Sequence, residues 1–283
     1  MSVSSSRLAV TGSSGALGGA VAAALAEAGY EQRLVVRSQG RAPRLPGTTV
    51  VTAAYGHTAQ ARDALRGTDV LFMVSAAESE DRVAEHVGFI DAAAEAGVSH
   101  IVYTSFLGAA EDATFTLARD HWATEQHLRA SGVNYTILRD SFYLDALVGF
   151  ADESGVIQGP AGSGRVSAVA RADVARVATR ILTDPGAHRG RTYDLTGPTA
   201  LTLDDVAEAV TRHTGRPTRF EDQSIAEAEE SRSHYGVPRW QLDAWVSTYT
   251  AIAAGEMATV SDAVLQITGE PATDIDSFLS AGA

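Results

Sequence analysis

One run near the start constrains this chain more than any other. Arg7–Thr11 (RLAVT) is followed by Gly12-Ser13-Ser14-Gly15-Ala16-Leu17-Gly18 and then by an Ala-rich stretch ending at Ala28. A short apolar β run, a turn with glycine at every third position and a helical pattern predict a strand–turn–helix unit. Gly12 permits the tight turn, Gly15 lets main chain approach a pyrophosphate, and Gly18 lets the helix lie close against the strand. The start of such a helix offers unpaired N–H groups and the positive end of its dipole to phosphate. Cofactor contacts are therefore expected at Thr11, Gly12, Ser14, Gly15, Ala16, Leu17 and Gly18. The plain alternative is a glycine-rich turn with no ligand.

The rest of the first half repeats the rhythm. Strands are expected at Arg33–Val36, Thr49–Ala53, Asp69–Ser75, His100–Ser105 and Asn134–Leu138, with helices at Ala59–Arg66, Arg82–Ala96 and Leu117–Ser131 between them. Continuous apolar strands alternating with helices predict an α/β fold, a doubly wound parallel Rossmann sheet covered on both faces. After Leu138 the rhythm loosens. Asp140–Asp152 and Ala172–Leu182 read as helices, Gly155–Val166 as a glycine-rich turn region and Thr192–Leu195 as a strand, and helical patterns dominate from Thr202. Residues 1–139 are expected to form the dinucleotide-binding domain, with 166–195 returning to it. Residues 140–165 and 196–283 then form a smaller, mainly helical C-terminal substrate lobe.

Composition removes whole classes of chemistry. All 22 basic residues counted as Lys+Arg are arginines, and cysteine is absent. No disulfide, thiolate nucleophile or Cys-ligated metal is available, and no Schiff-base or P-loop lysine. The eight histidines show no metal-ligand spacing, so no metal site is expected. A net charge of −13 argues against nucleic acid and anionic membrane as partners. Met1–Ser6 is a short polar lead-in without a signal-peptide core, no apolar run reaches membrane-span length, and a cytoplasmic protein is expected.

The end of the second strand discriminates between nicotinamide cofactors. It reads Val36-Arg37-Ser38 with no acid to accept from a ribose 2′-hydroxyl, whereas Arg37 suits a 2′-phosphate and Ser38 adds a hydroxyl. NADP(H) is expected in preference to NAD(H). The small residues after the fourth strand, Ser75 and Ala76 with Glu78 beyond, leave room for the cofactor. The fifth strand ends Tyr103-Thr104-Ser105, a place where a Ser polarises a substrate carbonyl in reductases that use a Tyr-x-x-x-Lys pair on the next helix. Here that helix reads Arg119-Asp120-His121-Trp122-Ala123-Thr124-Glu125, with neither Tyr nor Lys. His121 and Glu125 share a helix face. Either His121 delivers a proton near the nicotinamide, or it is a bonded histidine that steadies the helix.

Taken with Tyr135-Thr136-x-Leu138-Arg139-x-x-x-Tyr143 and Thr268-Gly269-x-Pro271-x-Thr273, these motifs resemble the NmrA-like atypical short-chain dehydrogenase/reductases, the group with bacterial quinone and triphenylmethane reductases. The resemblance implies further cofactor contacts at Tyr55, Thr104, Arg139, Ser141 and Phe142. It implies a substrate pocket with Glu78, Phe106 and Tyr143, and puts Ser105 and His121 forward as the catalytic pair that hydrogen-bonds a developing oxyanion. The chain departs from the family at Ala54, where an Asp often precedes the Tyr, and at Asp140, where Asn is frequent. Phe150, Trp240 and Trp245 are expected as packing. The leading expectation is an NADPH-dependent oxidoreductase acting on a quinone or another small flat aromatic, as a monomer or homodimer. The alternatives are a non-enzymatic NADP(H)-sensing regulator and a tailoring oxidoreductase of aromatic polyketide or other secondary metabolism.

Overall fold

The computed structural model describes residues 7–282; the lead-in Met1–Ser6 and Ala283 lie outside them. In chain order the main elements are β1 (Leu8–Thr11), α1 (Ala16–Glu27), β2 (Gln32–Val36), β3 (Thr48–Thr52), α2 (Ala59–Leu65), β4 (Val70–Met73), α3 (Arg82–Glu95) and β5 (His100–Phe106). Then follow α4 (Thr116–Ala130), β6 (Asn134–Asp140), α5 (Leu144–Val148), β7 (Val156–Gly159), α6 (Arg171–Thr183), β8 (Arg191–Leu195), α7 (Leu203–Thr214), β9 (Arg219–Asp222), α8 (Ile225–Arg232) and α9 (Arg239–Ala253). Two short helices, α10 (Ala263–Thr268) and α11 (Ile275–Ser280), close the chain. The seven-stranded sheet has the order β3-β2-β1-β4-β5-β6-β8, and the neighbours from β3 to β5 pair in parallel. This is the doubly wound arrangement, and its order reverses between β1 and β4. Ligands of such sheets lie outside the strand ends at that reversal.

The chain divides into two compact units. The first comprises residues up to Ser105 with Asp120–Leu138 and Val174–Tyr193. β1 and β4 are buried along their whole length, as strands covered on both faces must be. One face of the sheet buries Leu71, Ile101 and Ile137 with Leu65 of α2, Phe89 and Ile90 of α3 and Leu128 of α4. Burying a side chain of this size stabilises the fold by about 1.5–3 kcal/mol. Thr58 caps α2 through its side chain, which accepts from Ala61 N at 3.0 Å. In contrast, α1 starts at Gly15 with no side-chain cap and no acidic residue in its first turn.

The second unit comprises Phe106–Arg119, Arg139–Asp173 and the residues from Asp194 on. Its core gathers Leu144, Leu147, Ile157, Val166, Leu203, Val206, Tyr249, Ile252 and Met257. A capping box between Thr202 and Asp205 starts α7, and Gly215 in the left-handed region stops it. Thr273, from the late motif, ties the C-terminal segment to α6: its N and Oγ1 donate to the Asp173 carboxylate at 2.6 and 2.9 Å.

Two expectations are corrected here. Asp140–Asp152 is not one helix: Asp140 closes β6 and only Leu144–Val148 is helical. Gly155–Val166 is not a turn region throughout, because Val156–Gly159 pairs in parallel with Arg219–Asp222. The glycines misled because they serve close packing as well as turning. A Cβ on Gly159 would lie 2.3 Å from the Tyr249 ring, and one on Gly164 would lie 2.2 Å from Ile252 O.

Candidate functional site

The glycine turn lies at the carboxyl end of β1. Gly12 has φ +62°, and Gly15 N donates to Gly12 O at 2.8 Å, which closes the turn. A Cβ on Gly18 would sit 2.5 Å from Gly12 O and 2.7 Å from Thr11 O, so only glycine lets α1 come this close. The uncapped start of α1 thus faces a cavity of about 390 Å³ lined by Thr11, Gly12, Ser14 and Gly15, by Val35–Arg37, Ala53–Tyr55, Val74–Ser79 and by Glu85. Ala16 is exposed in the first turn of α1, while Leu17 and Gly18 are buried there. Arg37 is an exposed lining residue, and Ser38 is the exposed residue after it, outside the lining. Anion-ready main chain at one point and a guanidinium at the end of β2 fit the diphosphate and the 2′-phosphate of NADP(H).

Side chains behind the cavity hold its walls. Tyr55 lines it with its ring and donates through its hydroxyl toward Thr11 Oγ1, at 2.6 Å, and Val74 O. Burial pushes the Tyr55 phenol up, so it stays protonated. Thr104 Oγ1 accepts from Ser75 N at 2.8 Å, so this residue acts on the wall from behind. The next residue, Ala76, is held at both its N–H and its carbonyl by side chains of α3. Ala76 N donates to His86 Nε2 at 2.7 Å, and Arg82 Nε donates to Ala76 O at 3.1 Å. Burial and then the Arg82 charge push the His86 imidazole down to about 3. A neutral His86 that accepts at Nε2 carries its proton on Nδ1, which meets Thr124 Oγ1 at 2.9 Å.

His121 is 5% exposed and sits in the same network. Its Nε2 faces Arg82 Nη2 at 2.9 Å and its Nδ1 faces the Tyr103 hydroxyl at 2.9 Å. Because arginine only donates, Nε2 is the acceptor and Nδ1 bears the proton. Burial first, then the Arg82 and His86 charges, hold the imidazole well below its usual range. Asp120 pairs with Arg82 at 3.4 Å. Ser105 Oγ donates to Glu125 Oε1 at 2.6 Å, and Arg129 donates to Glu125 Oε2 at 3.0 Å. Ser105 and His121 are both buried and both spend hydrogen bonds inside the first unit. The spacing of Arg82 and His86, four residues apart on the helix after β4, was the signal that would have exposed this clamp.

The remaining expected residues belong to the second unit, with Glu78 alone lining the cavity of the first. Phe106 and Phe142 meet edge to face with centroids 4.9 Å apart, and Phe115 completes the cluster at 4.9 and 5.5 Å. Arg139 is the half-buried residue before the end of β6. The Tyr143 hydroxyl donates to Asp140 Oδ2 at 2.8 Å, and the Arg171 guanidinium stands 4.2 Å over the Tyr143 ring while pairing with Asp145. Burial drives the Asp140 carboxyl up to about 8. Asp140 Oδ1 and Ser141 Oγ are buried and make no hydrogen bond. Among the described residues no group of His, Asp and Glu could hold a metal, and no helix is long and apolar enough to cross a membrane.

A doubly wound sheet with a glycine turn, an uncapped helix start and a basic residue after β2 defines a nicotinamide-dinucleotide-binding protein of the Rossmann class. The model of the NmrA-like family matches residues 4–232, and the chain belongs to that family. It is 32% identical to quinone oxidoreductase 2 of Escherichia coli, over 96% of this chain and 97% of the relative. It is 35% identical to a (4-alkanoyl-5-oxo-2,5-dihydrofuran-3-yl)methyl phosphate reductase of Streptomyces griseus, over 93% of each. The crystal structure of the E. coli NADPH-dependent quinone oxidoreductase complexed with NADPH superposes with a TM-score of 0.88, covering 97% of this chain and 99% of that one. The chain is an NAD(P)H-dependent oxidoreductase with NADP(H) as its cofactor.

Proposed function

We propose that the protein uses NADPH to reduce quinones and related flat, electron-poor conjugated carbonyl compounds, without a side-chain acid at the reacting oxygen. The observation that carries this reading is His121. At the helix position where a proton donor is expected stands a neutral imidazole enclosed by Arg82 and Tyr103. An acceptor suited to such a site releases a stabilised anion after hydride addition, as a quinone does in becoming an aromatic phenolate. A simple ketone would leave an alkoxide, which needs a positioned proton donor beside it. The Streptomyces relative's name describes an alkene conjugated to two carbonyls, which obeys the same rule by giving an enolate. A conjugated enone is therefore the second acceptor class.

The chain's own residues are assigned as follows. Gly12, Gly15 and the start of α1 bind the diphosphate, and Arg37 binds the 2′-phosphate, in keeping with the cavity they line. NADPH supplies the hydride. Arg82 and His86 fix the Ala76 peptide at the cavity wall. His121 and Ser105 are positioning residues: His121 steadies Arg82, and Ser105 steadies the end of β5 through Glu125. Ser141, Phe142 and Tyr143 are assigned to the nicotinamide and acceptor side. The ligands are small molecules rather than nucleic acid, in keeping with the net charge of −13.

The test follows NADPH absorbance with purified protein across benzoquinones, naphthoquinones and conjugated enones. Turnover with kcat/KM free of any ionisation near 6.5 supports the reading. A limb near that pH that disappears in His121→Ala would show His121 to be a proton donor, and absence of turnover across the panel would overturn the acceptor class.

A further inference from the structure

The second unit contains a groove that the chemistry above does not use. It encloses about 540 Å³ between β7, the end of α8 and the inner face of α9, and its aromatic lining is Phe150, Tyr235, Trp245 and Tyr249. That volume falls in the range of small-molecule sites, about 300–1,000 Å³. Phe150 packs against the second-unit core as expected and also lines the groove, as does Trp245. Tyr235 is 62% exposed, the most exposed large hydrophobic residue among those described. It meets Trp245 edge to face at 5.6 Å, and the His234 ring lies 4.0 Å from it. Deeper in, Phe150 and Tyr249 stand 5.4 Å apart.

This arrangement is held firmly. Gly159 leaves no room for a Cβ beneath Tyr249, so that ring is seated directly on the β7 main chain. The Arg232 guanidinium lies 5.0 Å from the Tyr249 ring centre, with Nη2 donating to Gln158 O at 2.8 Å and Nη1 to Ala228 O at 3.0 Å. Nη1 also donates to Ser231 Oγ at 3.2 Å and Gln223 Oε1 at 3.4 Å; all four acceptors are neutral oxygens, so the bonds orient the guanidinium without neutralising its charge. Asp152 is the one carboxylate of the lining. Its Oδ1 accepts from Ser154 N at 2.8 Å, Ser154 Oγ at 2.7 Å and Val156 N at 3.0 Å, which ties that oxygen to its own loop.

We propose that this groove is a binding site for a planar aromatic ligand that carries an anionic group, the ring against Tyr235, Trp245 and Tyr249 and the anion toward Arg232. Aromatic faces and edges reward a flat ring beyond simple burial, and a fixed guanidinium rewards an oxyanion. The site is wholly made of second-unit residues. It therefore stands independently of the hydride-transfer reading, and its test needs no turnover.

The experiment is calorimetric titration of the full-length protein with anthraquinone-2-sulfonate in the absence of NADPH. One molecule is expected to bind, with saturating NADP+ leaving the affinity unchanged and added salt weakening it. Tyr235→Ala, at an exposed rim position, is expected to weaken binding about fivefold, and Trp245→Leu in the same chain to weaken it further. NADP+ affinity of each variant reports that the protein is folded. Competition by NADP+, full affinity in the folded double variant, or no binding by the parent protein would each overturn the proposal.

Discussion

The two units present ligands with opposite materials. In the first, the surface proposed to meet the cofactor includes main chain at its key points: a glycine turn, the uncapped start of α1 and the Ala76 backbone held by Arg82 and His86. In the second, the available surface is side chain, with aromatic rings around an oriented guanidinium. Their buried titratable groups differ too. The first unit hides a Glu125 carboxylate paired with Ser105 and Arg129, and with it imidazoles pushed down by burial, His86 to about 3 and His100 to about 4. The second hides a carboxyl, Asp140, pushed up to about 8. In the proposed reading the diphosphate is met by main chain, at a turn where a Cβ on Gly18 would be obstructed. The proposed groove ligand would instead be met by side chains, which are free to vary.

The sharpest way to break the first unit is Gly18→Ala. The added methyl collides with Gly12 and Thr11 main chain, so α1 must move off the sheet, with several kcal/mol lost (about 2–4) and NADPH binding falling about 100-fold or more. Titration of NADPH into the refolded variant checks this, and near-normal affinity would show that the turn tolerates displacement.

The second-largest effect separates the units by pH. Asp140 has a folded pKa above its unfolded value, so its contribution is complete below about pH 4 and is lost as pH rises toward about 8. His86 and His100 have folded values below the unfolded one, so theirs is complete above about pH 6.5 and is lost as pH falls. Asp140→Asn is expected to flatten the loss between about pH 5 and 8, worth on the order of a few kcal/mol, and to leave the acid-side loss intact. Thermal unfolding at a series of pH values reads both limbs. An unchanged alkaline limb in the variant would show that Asp140 is not the group responsible.

A smaller effect is expected at the clamp. Arg82→Met removes the donor to Ala76 O and to His121. Because it removes the buried Arg82 partner of the half-buried Asp120, loss of stability alone would be uninformative. The diagnostic readout is therefore the split between constants: KM for NADPH rising about tenfold with a smaller change in kcat. An equal fall in kcat and kcat/KM would instead put Arg82 at the reacting atoms. His121→Gln, smallest of the series, should change kcat by no more than about threefold if the residue only positions Arg82.

Much of the first unit was legible in sequence because its determinants are contiguous. Thr11 to Gly18 reads as one motif, and strand–helix alternation follows from apolar runs stopped by glycine. Arg37 was legible for the same reason, as the first residue after β2. What escaped depends on residues distant in sequence: the Arg82–Ala76 and Arg82–His121 contacts span six and 39 positions, and the groove draws on residues from Phe150 to Tyr249. Burial was equally hidden. The motif put His121 and Glu125 on one helix face, yet their partners, Tyr103 and Arg82 for one, Ser105 and Arg129 for the other, come from packing. In the second unit Gly155, Gly159 and Gly164 read as turn residues, although each also stands where a Cβ would strike a neighbour.

In the proposed function, first-unit main chain and Arg37 select NADPH for reduction of a conjugated acceptor. The direct measurement is kcat/KM for NADPH and for NADH with 1,4-naphthoquinone, in the parent protein and in Arg37→Ala. The parent is expected to prefer NADPH, and the preference to fall about 10- to 100-fold in the variant, through loss of NADPH affinity with NADH use unchanged. An Arg37→Ala protein that keeps the full preference for NADPH would contradict it.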